Sequence, residues 1–206
     1  MKARSFAIQL VLGAALLTPI LPAAGATLPD RFVLTIKTGF LHLVDDSQSI
    51  AGATRAFDDS ANNPFAVEGE WRPVSGDRVS IGGEILRYSN RFGRVGVPGA
   101  ANEDRVWTHA VLVKSKYFFG SDQRFQPYLG GGIGLSGAYD DSGPIEGVAQ
   151  GIAAQAVIGM RLRGERVGFN AEYMYLHARA EDDKGDKIDT SSHGVFLGVS
   201  FFFARR

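Results

Sequence analysis

Apolar residues recur at every second position along most of the chain from Phe32 onward. This is the period of a β-strand with two different faces, whereas a helix would repeat every 3.6 residues. In the first such segment, Leu34 and Ile36 share one face while Thr35 and Lys37 share the other. Eight segments show this alternation, and helix-period runs with capping residues are absent from the sequence. The pattern therefore predicts eight strands and an all-β fold.

The connections between these segments alternate in length. Short turns are predicted at residues 73–77, 120–124 and 164–165, and long polar loops at residues 45–63, 90–104, 140–147 and 181–190. At the shortest turn we expect Arg163 to pair with Arg166. Short turns at one end and long loops at the other are typical of a bacterial outer-membrane barrel. The sequence thus predicts an all-β, eight-stranded antiparallel up-and-down transmembrane β-barrel.

The first residues read "MKARSFAIQLVLGAALLTPILPAAGA". Lys2 and Arg4 precede an apolar core at residues 6–17, and small residues follow up to an A-x-A site at residues 24–26. This order is that of a secretory signal peptide, and the apolar core is too short for a spanning helix. We therefore expect residues 1–26 to be a cleaved signal peptide and residues 27–206 to form the barrel domain.

Composition excludes several functional classes. The chain has no cysteine, so stability must come from packing and backbone pairing and not from disulfides. It has 22 basic and 22 acidic residues, and this neutral balance argues against a nucleic-acid partner. With four histidines, no cysteine ligand and no H-E-x-x-H motif, neither a metal site nor a cofactor is expected.

Alternation alone leaves open which face points outward, because a lipocalin-like soluble barrel would put the apolar rows inside, around a ligand. The polar rows combine glycines with full charges, which suits the filled interior of a small barrel. Aromatic residues also gather at both ends of the apolar rows, as in the girdles at membrane interfaces. They are Phe32, Trp71, Tyr117, Phe119, Phe201 and Phe203 at one end, and Phe40, Trp107, Tyr139 and Tyr175 at the other. We predict that the apolar rows face lipid.

Three phrases carry a family resemblance: "QPYLGGGIG" from Gln126, "VIGMRLRGERVGFNAEYMY" from Val157 and the terminal "GVSFFF". Gly198, Phe201 and Phe203 in the last phrase resemble the C-terminal signal read by the barrel-assembly machinery, although two arginines follow here. Together the phrases resemble the small outer-membrane β-barrels that include the OmpA transmembrane domain and OmpX. The resemblance implies an integral outer-membrane barrel among outer-membrane lipids and lipopolysaccharide, and it implies no single activity.

The stretch from Gly132 to Gly137 satisfies the spacing G-x-G-x-x-G. A dinucleotide site needs a helix directly after these glycines and an acidic residue about 20 positions further on. A turn-rich segment, "AYDDSGP", follows instead, and residues 155–159 contain no acid. We therefore predict that Gly130, Gly132 and Gly134 lie on an inward row, where they make room for long side chains of adjacent strands.

The inward rows contain four charges of each sign. They are Lys37, Lys114, Lys116 and Arg161 against Glu68, Glu70, Glu84 and Glu172. Charges buried in a narrow lumen must pair or hold water. The balance favours a network of salt bridges that plugs the lumen over an ion-selective pore lined with one sign.

Three residues at the loop end are candidates for a catalytic site. His177, Ser191 and His193 share the outward parity at the loop end, with Glu181 and Asp189 nearby. Lipid A deacylase barrels place a serine, a histidine and an acid on the outer rim, but the His-x-Ser motif of that family is absent here. The alternative interpretation is polar residues that meet lipid head groups.

The sequence favours a monomeric, non-enzymatic barrel whose structural or surface-interaction role lies in its external loops. A narrow pore for small solutes is the second interpretation, and a lipid A-modifying hydrolase is the third.

Overall fold

The computed structural model describes residues 32–44, 47–50, 53–57, 60–72, 78–94, 104–119, 124–140, 149–181, 185 and 187–203. The predicted signal peptide and the turn predicted at residues 73–77 lie outside these described residues. The strands are β1 Phe32–Leu43, β2 Ser47–Ile50, β3 Ala53–Phe57, β4 Ser60–Trp71, β5 Val79–Arg94, β6 Asp104–Phe118, β7 Phe125–Asp140, β8 Ala149–Arg163, β9 Val167–Glu181, β10 Lys187–Asp189 and β11 Ser192–Phe203.

Eight long strands close into a barrel. Each pairs antiparallel with the next in the order β1, β4, β5, β6, β7, β8, β9 and β11, and β11 pairs back with β1. Closure gives each of these eight strands two neighbours, so no long edge is left unpaired. The predicted eight-stranded antiparallel up-and-down barrel is confirmed.

No helix in the described part of the chain is long and apolar enough to cross a membrane.

The strands extend further than the sequence pattern predicts. The predicted loop at residues 45–63 contains the β2–β3 hairpin, and β3 pairs with the end of β5, where Arg55 lies opposite Arg94. The predicted loop at residues 181–190 contains β10, which continues the pairing with β9. Backbone pairing persists after the apolar alternation stops, because strands in water need no apolar row to hydrogen-bond with each other. The alternation thus marks the apolar belt and not the full length of the strands.

The register predicted for the turn between β8 and β9 is wrong by two residues. Arg163 pairs with Gly168 and not with Arg166. The backbone N–H of Gly164 donates to the carbonyl oxygen of Val167 at 3.0 Å, which makes the turn longer than a two-residue connection. Because side chains alternate with period two, a shift of two residues leaves every side chain on its predicted face.

The apolar rows point out of the barrel, as predicted. Phe40 is 77% exposed, Ile133 71% and Ile152 72%. A lipocalin-like barrel would bury these rows, so that interpretation is wrong. We call the end with the connections at residues 120–124 and 164–166 the turn end, and the opposite end the loop end.

The interior changes character along the barrel axis. Towards the turn end the inward side chains are mostly charged or polar, as the sequence suggests. Towards the loop end apolar side chains become frequent, beside buried polar ones such as Ser89, Asn90 and Thr108. Next to the charges lies a set that we call the apolar layer: Leu41, Leu86, Leu112, Met174, Leu176 and Phe196. Closer to the loop end lies the mouth cluster: Leu43, Val106, Ala138, Ala149, Ala180 and Ile188.

Candidate functional site

The structure brings together all eight predicted lumen charges. We call them the charge layer: Lys37, Glu68, Glu70, Glu84, Lys114, Lys116, Arg161 and Glu172. They come from six strands, and strand alternation points each of them inward, opposite its exposed apolar neighbours. Each residue is at most 2% exposed. The layer therefore lies across the lumen as one buried site.

Lys37 is at the centre of the layer. Its Nζ lies 2.7 Å from Glu68 Oε2 and 2.5 Å from Glu172 Oε1, and it also pairs with Glu84. Oxygens of these three carboxylates lie within 4.8 Å of one another, a spacing at which carboxylates could hold a metal ion. The ammonium group of Lys37 lies among them and supplies the positive charge that a metal ion would supply.

Lys114 and Lys116 extend the network along β6. Lys114 Nζ lies 2.9 Å from Glu84 Oε2 and 3.4 Å from Glu68 Oε2. Lys116 Nζ lies 2.6 Å from Glu68 Oε1 and 3.1 Å from Glu70 Oε1. Glu68 is thus shared by three lysines, which ties β1, β4 and β6 together inside the barrel.

Arg161 closes the network on the β8 side. Its guanidinium donates to both carboxylate oxygens of Glu70, with Nη1 at 3.2 Å from Oε2. Its Nε donates to Asn170 Oδ1 at 2.7 Å, so the group is held in a fixed orientation. Two-pronged pairing of this kind is the geometry in which arginine binds a carboxylate most strongly.

Three neutral side chains and one further cation, Arg72, also point into this part of the interior, and the sequence analysis did not assign them to the layer. Tyr128 Oη donates to Glu172 Oε2 at 2.9 Å, and Gln155 Nε2 donates to Glu84 Oε1 at 2.7 Å. Nearer the turn end, the guanidinium of Arg72 lies 4.2 Å from the ring centroid of Phe118. Phe118, Tyr128 and Gln155 lie on the inward-facing rows of their strands, and Arg72 continues the inward row of β4. This parity is the sequence signal that could have identified them.

Glycines make the space that the lysines occupy. Lys114 lies opposite Gly132, Lys116 opposite Gly130 and Lys37 opposite Gly198. A Cβ atom on any of these glycines would lie 2.7 to 2.8 Å from the Cγ of its lysine. The G-x-G-x-x-G match is thus part of a barrel strand. Gly134 differs from the expectation, since its close neighbour is the backbone oxygen of Val111 and not a long side chain.

The electrostatic balance of the layer explains how it tolerates burial. Removing one charge from water costs several kcal/mol unless counter-charges and hydrogen bonds replace the water. Here each carboxylate contacts at least two cations. Four charges of each sign leave no net charge in the layer. Charged pores select ions through rings of side chains of one sign. A layer without net charge does not attract ions in this way.

The candidate catalytic residues lie on the outer rim, where two of the three meet. Ser191 Oγ lies 3.1 Å from His177 Nδ1 and also accepts a hydrogen bond from the backbone N–H of Ala178. His193 Nδ1 lies 3.0 Å from the hydroxyl of Tyr173 instead. Ser191 is only 5% exposed. Its hydroxyl therefore connects the end of β9 to the segment before β11.

Asp189 holds this segment from the other side. Its carboxylate accepts hydrogen bonds from the backbone N–H of Ser191 at 2.9 Å and from Arg179 Nε at 2.7 Å. Partial burial raises the pKa of the Asp189 carboxyl, but the hydrogen bonds from Ser191 and Arg179 outweigh it and keep that pKa below its usual value. Asp189 therefore stays ionised, and both of its oxygens hold β10 and Ser191 in place.

The residues of the predicted assembly signal lie on β11, the last strand. Phe201 and Phe203 point outward at the turn end, and the ring of Phe203 lies 5.8 Å from that of Phe32 on β1. Gly198 is the glycine that faces Lys37. Recognition of these residues by the assembly machinery stays a prediction, whereas their packing at the junction of the first and last strands is a feature of the fold.

Solved barrels are similar to this chain in fold. Neisserial surface protein A is 16% identical, with a TM-score of 0.56, and the match covers 84% of this chain and 97% of that one. OprG from Pseudomonas aeruginosa is 15% identical, with a TM-score of 0.58 and coverage of 86% and 98%. AlkL, solved by solid-state NMR, is 14% identical, with a TM-score of 0.54 and coverage of 90% and 96%.

No protein-family model matches the sequence, and no curated protein does. At 14 to 16% identity the likeness to the three barrels shows the fold alone. It confirms at that level the resemblance to small outer-membrane barrels.

Proposed function

We propose that this chain is an integral protein of the bacterial outer membrane, with a closed barrel and a structural or surface-interaction role at its loop end. The exposed apolar rows support a lipid environment, because large apolar side chains around a whole barrel would be unfavourable in water. The fold likeness to OprG and AlkL, both outer-membrane proteins, supports the same location.

The observation that carries the proposal is the filled lumen. The charge layer crosses the barrel, the apolar layer packs against it, and the mouth cluster lies beyond. Side chains of all three sets are buried. A solute would have to break ion pairs and displace packed apolar groups in turn, so a barrel of this kind favours anchoring over transport.

The pore and hydrolase interpretations have less support. A narrow pore requires a continuous wet path, whereas the side chains of the charge layer, the apolar layer and the mouth cluster are buried. A hydrolase requires an accessible nucleophile, whereas Ser191 is shielded and hydrogen-bonded to the backbone. The rim contacts of Ser191 and His177 fit a role in holding the segment before β11.

Planar-bilayer recordings test the closed lumen. The protein is purified from outer membranes, and its folding is checked by heat-dependent gel migration and circular dichroism. We expect no steady single-channel openings from the folded barrel, because the charge layer, the apolar layer and the mouth cluster together block the lumen. Reproducible unit conductance from folded protein, absent from a heat-unfolded sample, would contradict the proposal and put the pore first.

For the surface interaction we propose lipopolysaccharide phosphates as one ligand of the loop end. On the outward face, the guanidinium of Arg87 lies 4.1 Å and that of Arg105 5.6 Å from the ring centroid of Trp107. Trp107 lies at the loop end of the apolar rows, a position typical of tryptophan at a membrane interface, and the two arginines beside it suit anionic head groups. The proposed site therefore lies where the apolar belt meets the head groups.

The amount of lipopolysaccharide retained on purification, measured by native mass spectrometry, tests this ligand. A basic residue near a lipid surface contributes about 1 kcal/mol, or about fivefold in affinity. We expect Arg87→Gln combined with Arg105→Gln to lower retention, and Arg78→Gln at the turn end to leave it unchanged. Equal retention by all variants would refute the site. If added phosphatidylglycerol displaces the retained lipopolysaccharide as well as added lipopolysaccharide does, the site recognises lipid phosphate in general.

A further inference from the structure

Two of the four histidines face each other across the junction of the first and last strands. His42 on β1 and His193 on β11 are directly paired. Both point outward, since their chain neighbours Leu41, Leu43 and Gly194 are buried. Their ring centroids lie 6.0 Å apart, with the rings inclined at 34°. The pair belongs neither to the charge layer nor to the Ser191–His177 contact.

This spacing suits a shared metal ion. Directly opposed residues of an antiparallel pair have Cβ atoms about 4.5 to 5.5 Å apart, so both imidazoles reach the same point above the sheet. Zn–N bonds of about 2.0 to 2.1 Å place the centroids of two ligating rings roughly 5 to 6 Å apart. Imidazole nitrogen prefers Zn²⁺, Ni²⁺ and Cu²⁺, whereas Mg²⁺ and Ca²⁺ prefer oxygen ligands.

A second observation supports ligation by His193. Its Nδ1 lies 3.0 Å from the hydroxyl of Tyr173 on β9. When Nδ1–H donates to that oxygen, the lone pair of Nε2 is left for a metal ion. Histidines that bind metals are commonly oriented in this way through their other ring nitrogen. The contact also links β9 to the β1–β11 junction.

We propose that His42 and His193 form a binding site for a late first-row transition-metal ion, with Tyr173 as the residue that orients His193. Two protein ligands leave the remaining coordination positions to water or to an oxygen ligand from the membrane surface. Because β1 and β11 are the strands whose pairing closes the barrel, the bound ion stabilises that closure. An ion that binds only the folded state raises its stability by RT ln(1 + c/Kd), where c is the concentration of free ion, so the stability increases with that concentration.

Zinc titration of the full barrel tests the site. The protein is purified from outer membranes without a polyhistidine tag, and Zn²⁺ binding is measured by isothermal titration calorimetry in detergent. We expect one Zn²⁺ to bind per chain. The affinity for Zn²⁺ should fall at least about tenfold in His42→Gln and in His193→Gln, because losing a ligand should reduce the affinity no less than losing the group that orients a ligand. His109→Gln is the matched control, because His109 is also outward near the loop end but stacks on Tyr139 at 5.5 Å.

Thermal unfolding gives a second readout. Zn²⁺ should raise the unfolding temperature of the wild type and of His109→Gln, and EDTA should reverse the increase. Mg²⁺ should have no such effect. If a histidine variant does not fold, Tyr173→Phe takes its place and should weaken Zn²⁺ binding while the barrel stays folded. Zinc binding that is unchanged in His42→Gln and His193→Gln, or equally weakened in His109→Gln, would overturn the proposal.

Discussion

At the scale of single residues, the lumen depends on long cations placed beside glycines. Lys37, Lys114 and Lys116 each cross the space left by a glycine on the neighbouring strand and meet at least two carboxylates. A larger residue in place of the glycine would displace the lysine stem, and a shorter cation would not reach its partners. The glycines and lysines therefore act as pairs.

Lys37→Met should be strongly destabilising. It leaves Glu68, Glu84 and Glu172 close together without the cation between them. Breaking a buried ion pair on one side costs about 3–5 kcal/mol. We expect a loss of that size in the free energy of unfolding, measured by urea titration in lipid vesicles.

Two variants make this measurement specific. Lys187→Met removes an exposed lysine and should change stability by no more than about 0.5 kcal/mol. Lys37→Met combined with Glu84→Gln should lose less than the sum of the two single variants, because one uncompensated charge is removed with the cation. If Lys37→Met is as stable as Lys187→Met, the charge layer does not contribute to stability as described.

At the scale of elements, the loop end is held by contacts between strands and the segments beyond the apolar belt. β10 pairs with the end of β9, and Ile188 from β10 is fully buried in the mouth cluster. Tyr88 on β5 reaches across the interior and donates its hydroxyl to the carbonyl oxygen of Thr190 at 2.6 Å. The mouth is therefore closed by a short strand that is tied to the opposite wall.

Tyr88→Phe should loosen this closure. The phenyl ring keeps the packing but leaves the buried carbonyl of Thr190 without the Tyr88 donor, at a cost of about 1–3 kcal/mol. We expect faster hydrogen–deuterium exchange at residues 187–193 and a lower free energy of unfolding. Tyr117→Phe is the control, since Tyr117 is exposed at the turn end. Equal exchange in both variants would show that the Tyr88 contact does not hold the mouth.

At the scale of the whole molecule, one chain presents apolar side chains both outside and, beside buried polar ones, in the loop-end half of its interior. The outer rows meet lipid, while the apolar layer and the mouth cluster pack against each other inside the barrel. With the charge layer, these sets fill the lumen from the turn half to the mouth. The silent bilayer expected above follows from this combination and not from the ion pairs alone. Closure of all eight long strands leaves no long strand edge for pairing with a second copy, and the monomeric state stays a prediction.

Strand parity follows from the sequence because side chains alternate with a period of two, whatever the strand's neighbours are. For that reason the sequence alone places Lys37, Glu84 and Arg161 on inward faces. The two-residue register error at Arg163 leaves these assignments unchanged. The composition of the inward rows likewise predicted a balanced set of charges.

Which inward residues touch depends on register and on the closure of β11 onto β1, and neither is local. Tyr128 and Gln155 became part of the charge layer only because distant strands bring Glu172 and Glu84 to them. His42 and His193 are 151 positions apart in the chain, since 193 − 42 = 151, and meet only when the barrel closes. Local periodicity carries no information about such pairs, because the free energy that selects them comes from packing across the whole barrel.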